Sequence, residues 1–208
     1  IKNHPNIEFC AKAVESVDDL PRPLVIATGP LTHEPLAKSL LSHFGDEFLY
    51  FFDAIAPIID ADSINMDVAW FGDRYGKGTK DYLNCPLTEE QYYNLINEIK
   101  AARKIEAKDF EQGFEETPYF DGCMPIEAII ERGDETPRFG PMSPKGLQQQ
   151  GPDFKKYAVV QLRAENKEKT AFNMVGFQTK MAYGEQQRIF KMIPGLEDAE
   201  FLKLGSIH

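Results

Sequence analysis

Apolar positions recur along the chain with two periods, and each period predicts a different element. Helical spacing links Leu36, Leu40, Leu41 and Phe44, with Thr32 ahead as a cap and Gly45 behind, so a helix is expected from about His33 to Phe44. The same spacing in Tyr92, Leu95, Ile96 and Ile99 follows Thr88-Glu89-Glu90-Gln91, a capping-box pattern, and runs toward Lys100 and Arg103. Shorter helices are expected over Ile126–Arg132, closed by Gly133, and from Gly184 to Ile193, broken by Pro194-Gly195.

Strand signals fall between them. Residues 7–10 and 24–28 read as short strands, the second a continuous apolar run ended by Gly29-Pro30, as in a parallel sheet whose strands are buried on both faces. Residues 48–52 and 54–59 are β-prone, with Pro57 making the second an edge or irregular strand. Tyr157–Arg163 and Thr170–Phe177 have period-2 character and a polar loop between them, a hairpin, and Ala199–Ile207 returns as an extended element. The loop at 72–78 carries three glycines and three charges, and Pro137 to Gly151 carries three prolines and three glycines, an irregular ordered loop. The irregular alternation predicts a mixed α/β (α+β) fold with antiparallel pieces.

Composition narrows the class. With 42% hydrophobic residues among 208, the chain has a globular core, in one large domain or one and a half small ones, and is neither disordered nor collagen-like. The longest apolar runs fall short of the roughly 20 residues of a membrane span. The start has neither Met nor an apolar signal region, so the segment looks like the middle of a longer protein. Three cysteines without a CxxC pair fit a reducing cytoplasm, and no metal site is expected because Cys10, Cys85, Cys123 and the four histidines show no ligand spacing. The net charge of −10 opposes a nucleic-acid partner. Basic residues nonetheless gather from Arg138 to Lys191, either as a locally basic face or as a solvated surface of mixed charge.

Cys123 lies just ahead of an expected helix, where the positive end of the dipole favours a nucleophilic thiolate. Its alternative is a buried inert cysteine, while Cys85 and Cys10, at a strand end, look structural. Val25-Ile26-Ala27-Thr28-Gly29-Pro30 has the look of the flavoprotein segment whose small residues let backbone approach a cofactor, although no GxGxxG turn is present. Arg74, Lys77, Arg138, Lys145, Arg163, Lys180 and Arg188 are candidate phosphate partners, and Phe139 and Tyr75 either stack on an unstacked base or pack the core.

Taken together, VIATGPLT at 25–32, LYFFDAIAPII at 49–59, YFDGCMPIE at 119–127, RFGPMSPKGL at 138–147, NMVGFQTKM at 173–181 and the run from 185 to 208 resemble the TrmFO family. These are folate- and FAD-dependent tRNA (uracil-5-)-methyltransferases, relatives of the glucose-inhibited division protein A flavoproteins. The resemblance implies an inserted domain of a Rossmann-type FAD flavoprotein with a remnant of the FAD-binding domain. Its expected divisions are 1–31 (partial FAD-binding domain), 32–193 (inserted domain with active-site and RNA-facing residues) and 194–208 (return segment). It implies FAD, 5,10-methylenetetrahydrofolate and NAD(P)H as cofactors and a T-loop uridine of tRNA as substrate, with no membrane partner. Ribosomal RNA is the alternative substrate, and a non-catalytic RNA- or folate-binding module the alternative role of the isolated segment, which by itself is expected to be inactive. By the same resemblance Cys123 matches the family's second functional cysteine, Thr28 and Gly29 the flavin-side turn, and Arg138 and Phe139 a loop on the folate and flavin side.

Overall fold

The computed structural model describes residues 4–29, 32–45, 54–105, 124–147 and 156–207. The chain divides into two compact units, Ile1–Phe52 and Asp53–His208.

In the first unit, helix α1 (Glu34–Phe44) forms where the apolar spacing places it, with Pro35 in its first turn and Gly45 at its end. Thr32 does not cap it. The residue at the cap is His33, which makes no side-chain cap bond, and the Thr32 hydroxyl turns back to donate to the Gly29 carbonyl at 2.7 Å. Leu36 and Leu40 pack with Val17, with Val14 and Leu24 at the margin. Ser39 Oγ accepts the Val17 N–H at 3.1 Å and ties the short 3-10 turn Val17–Asp19 to the helix.

The strands expected at 7–10 and 24–28 do not form. Both stretches lack regular structure, Ile7, Phe9 and Cys10 are exposed, and Val25 is 88% exposed. A continuous apolar run marks a buried strand only where neighbours supply ladder bonds, and neither run has a strand partner among the described residues. The parallel sheet is likewise corrected: every described strand pair is antiparallel. The β-prone stretch at 48–52 lies outside the described residues.

The second unit is built on a six-stranded sheet. Its strands are β2 (Ile58–Asp60), β3 (Trp70–Phe71), β4 (Tyr82–Leu87), β5 (Ala158–Ala164), β6 (Ala171–Met174) and β7 (Phe201–Lys203), in the order β3-β4-β5-β6-β2-β7. Pro57 separates β2 from β1 (Ala54–Ile55), which pairs instead with β8 (Ser206–Ile207). The 157–177 hairpin forms as expected, Leu162 facing Met174.

Side-chain alternation on β4 and β5 gives this sheet two different faces. Leu83, Cys85, Leu87, Ala158, Val160 and Leu162 enter the main core. Against them lies helix α2 (Glu89–Ala101), whose capping box is complete: Thr88 Oγ1 accepts the Gln91 N–H, and the Thr88 N–H donates to Gln91 Oε1. Its stripe of Tyr92, Leu95, Ile96 and Ile99 is fully buried, each side chain contributing about 1.5–3 kcal/mol by removal from water. Helix α3 (Ile126–Glu131) and helix α5 (Tyr183–Phe190) complete this layer through Ile126, Ile130, Ile189 and Phe190. Cys85 is buried as expected, and desolvation pushes its thiol up to about 12. The intervening residues, Val159, Asn84 and Gln161, point to the other face, where Val159 packs with Trp70 and Leu147.

Candidate functional site

That second face carries the loops the sequence marks for chemistry. Asn84 and Gln161 stand opposite each other in the β4–β5 register, and the Gln161 amide donates to Asn84 Oδ1 at 2.9 Å. Asn84 in turn donates to the Gly72 and Trp70 carbonyls, fixing the start of the 72–78 loop. Gln161 Oε1 accepts from Arg74 Nε at 2.8 Å, while Arg74 Nη1 reaches the Lys145 carbonyl at 2.7 Å. Partial burial pulls the Arg74 pKa down, although a guanidinium remains charged. Two sheet amides and one arginine thus staple the 72–78 and 140–147 loops together.

The staple closes at Tyr75 and Gly146. The Tyr75 N–H donates to the Gly146 carbonyl at 2.6 Å, and the phenol ring lies so close that a Cβ at position 146 would sit 2.7 Å from its Cζ. Gly146 has φ +81°, so a side chain there is excluded both by backbone and by space. One face of the Tyr75 ring therefore rests on backbone, and the side chain as a whole is 67% exposed.

Arg138 and Phe139 occupy helix α4 (Thr136–Phe139), a single turn just before the second loop. Arg138 Nε donates to the Tyr157 carbonyl at 3.0 Å, its Nη1 pairs with Glu135 Oε2 at 3.3 Å, and its guanidinium lies 4.0 Å from the centre of the Tyr157 ring. The Tyr93 and Tyr157 hydroxyls both donate to Glu135 Oε1, at 2.6 and 2.9 Å. These bonds hold the Glu135 carboxyl below the usual carboxylate range, Tyr93 contributing most. Phe139, by contrast, is 77% exposed, with the Arg138 guanidinium over its ring at 5.5 Å. Arg138 is an anchored cation, and Phe139 an aromatic surface held out from a fixed turn.

Of the other candidate phosphate partners, Arg188 is committed to Glu98 and Glu185, at 2.6 and 2.7 Å. Lys77, Lys145 and Arg163 are exposed. Thr28 and Gly29 lie in the first unit, both exposed, Thr28 Oγ1 sharing a 2.7 Å hydrogen bond with Thr32 Oγ1. Gly29 has φ +74° and open space where a Cβ would stand, so backbone is accessible there as a cofactor-facing turn requires. Cys123 lies outside the described residues, and α3 opens after it as expected, Pro125 preceding Ile126. Among the described residues no group of three or more His, Cys, Asp or Glu could hold a metal, and no helix is long and apolar enough to cross a membrane.

The sequence model of glucose inhibited division protein A matches residues 1–208, the whole chain. The chain belongs to this family. Among its relatives, one from Bdellovibrio bacteriovorus named methylenetetrahydrofolate–tRNA-(uracil-5-)-methyltransferase TrmFO is 65% identical over 208 residues, covering 100% of this chain and 46% of the relative. TrmFO proteins from Bartonella henselae and Geobacter sulfurreducens are 55% and 53% identical, again over 100% of this chain and 45% and 47% of their own lengths. The chain thus spans a little under half the length of these relatives. A solved structure of Aquifex aeolicus GidA, form I crystal, aligns over 83% of this chain and 28% of its own at a TM-score of 0.45 and 14% identity, too distant a likeness to carry weight.

Within this GidA-family chain, pattern reading singles out Arg138, Phe139, Tyr75 and Arg74 but misses the groups that hold them. Tyr157 and Gln161 are 19 and 87 positions from the arginines they fix and Asn84 is 12 from Gly72, while Glu135 is three from Arg138. The polar Asn84 and Gln161 inside two apolar strands were the available signal, since a polar residue interrupting a strand's apolar register needs a partner.

Proposed function

We propose that this chain is part of a folate- and FAD-dependent RNA methyltransferase that forms 5-methyluridine in the T-loop of tRNA. The observation that carries the reading is the 65% identity to a TrmFO protein across all 208 residues. In this reading the FAD-binding side contributes the unit Ile1–Phe52, and the inserted domain lies within the unit Asp53–His208. When bound, the flavin supplies a one-carbon unit taken from 5,10-methylenetetrahydrofolate together with reducing equivalents replenished by NAD(P)H.

The residues here supply positioning and nucleophilic activation. Uracil C5 is a weak nucleophile, and addition of the Cys123 thiolate at C6 makes it enolate-like and reactive at C5. Thr28 and Gly29 offer accessible backbone to the cofactor, and the anchored Arg138 presents its cation on the folate and flavin side. Phe139 and Tyr75, both projecting from fixed turns, are suited to stack on bases of an RNA loop whose target nucleotide has been unstacked. The enzyme is expected to work in the cytoplasm, where tRNA is modified.

The test is mass spectrometry of the full-length enzyme, wild type and Cys123→Ala, incubated with a T-loop RNA carrying 5-fluorouridine. An adduct on the Cys123 peptide, lost in the variant, is expected. Methylation at the wild-type rate in Cys123→Ala overturns the assignment of the nucleophile. Methylation confined to a ribosomal RNA fragment overturns the substrate.

A further inference from the structure

Among the described residues, three that are not glycine hold a positive φ: Tyr75 at +58°, Lys80 at +60° and Lys169 at +56°. The two lysines are fixed by local bonds. The Lys80 N–H donates to Asp73 Oδ2 at 2.6 Å, and the Lys169 N–H to the Asn166 carbonyl at 3.2 Å in the β5–β6 hairpin. Tyr75 is the aromatic one of the three, and a bulky side chain in this backbone region is a genuine outlier. Strain of this kind gathers at functional sites. The bond from the Tyr75 N–H to the Gly146 carbonyl does not account for it, because a glycine at 75 would make the same bond unstrained. Burial does not account for it either, since the residue is 67% exposed. What the tyrosine adds is its ring, laid against Gly146 and open to solvent.

The charge that the two stapled loops present is positive. Residues 72–78 and 140–147 contain Arg74, Lys77 and Lys145 against one acid, Asp73. Asp73 is turned inward, its Oδ2 accepting the Lys80 N–H and its Oδ1 buried, whereas Lys77 and Lys145 are exposed. Burial pulls the Arg74 pKa down, and the Tyr75 and Tyr82 phenols oppose that pull, which places the Tyr75 side chain in electrostatic reach of the guanidinium. Beneath the loops Trp70, Leu147 and Val159 are buried, and Tyr75 is the exposed large apolar side chain of the pair. The surface is therefore one flat ring with cations beside it. That combination suits an unpaired nucleobase with its phosphate, because every base has a face to stack and a charge to neutralise. An acidic peptide would use the cations and leave the ring without a partner.

We propose that Tyr75 is a preformed stacking platform for one unpaired base of the substrate RNA, with Lys77 and Lys145 at the flanking phosphates. This deepens the reading of the chain as part of an RNA methyltransferase and rests on it. The platform binds and orients; no bond is made or broken there. Because Gly146 and the Arg74 staple hold the ring before RNA arrives, little ordering remains to be done on binding.

The experiment uses the full-length enzyme and measures two quantities on the same preparations: the Kd for a T-loop RNA hairpin, by fluorescence anisotropy, and the melting temperature. Tyr75→Gly is expected to raise Kd about tenfold, the size of one lost base stack, while its melting temperature stays at or above wild type because glycine takes this φ freely. Tyr75→Ala is expected to bind as weakly and to melt below Tyr75→Gly, since alanine keeps the strain. Tyr75→Phe, which retains the ring, keeps Kd within about twofold of wild type. Lys145→Ala lowers the slope of log Kd against log salt by about one. An unchanged slope in both Lys77→Ala and Lys145→Ala overturns the phosphate contacts. A melting temperature in Tyr75→Gly that falls together with affinity overturns the platform and assigns the ring to holding the loops together. Binding of polyglutamate that weakens in Tyr75→Gly while RNA binding does not overturns it in favour of an acidic protein. A wild-type enzyme that binds no RNA overturns the RNA reading and the platform with it, whereas a wild type and a Tyr75→Gly variant that bind RNA equally overturn the platform alone.

Discussion

The two compact units of this chain have similar apolar vocabularies and treat them in opposite ways. In Asp53–His208 the sheet, α2, α3 and α5 surround a continuous core from Ile59 to Ala199. Among the described residues of Ile1–Phe52 the buried apolar side chains are Val17, Leu36 and Leu40, while Ile7, Phe9, Val25 and Phe44 are exposed. Hydrophobicity of a segment is thus a demand for burial, and only neighbouring elements satisfy it. The second unit meets the demand internally because its strands pair with one another and leave one face for the helices. Its other face is free to carry polar staples and projecting aromatics.

The sharpest way to break this contrast is to open the larger core. Phe190 is fully buried, in edge contact with Phe177 at 5.7 Å between ring centres. Phe190→Ala is expected to cost about 3–5 kcal/mol, read as a lower denaturant midpoint, because rigid neighbours cannot fill the cavity. A cost under about 1 kcal/mol would show that the second unit is no better packed than the first.

A smaller effect is expected at Glu135, on the polar face. Its carboxyl is held below the ordinary value by Tyr93, Tyr157 and Arg138, so its contribution is complete above the unfolded carboxylate range, about 4.3, and is lost as pH falls through the lower folded value. Half-exposed ion pairs contribute about 1 kcal/mol or less. Glu135→Gln should therefore lower the melting temperature modestly at pH 7, by a margin that shrinks as pH falls below about 4.3 and vanishes below the lower folded value. A melting difference that persists undiminished at acid pH would show that the tyrosine cluster is held by shape and not by charge.

The smallest effect belongs to the first unit. Val25 is 88% exposed in this chain, so Val25→Ser should change its stability by less than about 0.5 kcal/mol. A larger loss, measured by the same denaturant titration, would mean that the 24–28 run is covered in solution and would erase the contrast between the units.

Much of the fold was legible along the chain. The α2 capping box, the α1 stripe ending at Gly45, the α3 turn closed by Gly133 and the 157–177 hairpin all form where pattern places them, because caps and short-range periodicity act within one or two turns. Residues 24–28 show the limit. Their run of Leu24, Val25, Ile26 and Ala27 is strand-like in composition, yet a strand requires a partner, and partners are chosen by the whole fold.

The site divides along the same line. Arg138, Phe139 and Tyr75 could be named from their loops, since glycine- and proline-rich segments with charges and aromatics advertise exposed chemistry. Only the folded sheet decided that Asn84 and Gln161 meet across β4 and β5 to hold Arg74, and that Glu135 draws two tyrosine hydroxyls and an arginine together. Local order follows from interactions between near neighbours, which the chain carries in its residue spacing. Most of the polar contacts that position the site join residues tens of positions apart, and only the packing of strands, helices and loops brings them within hydrogen-bond reach.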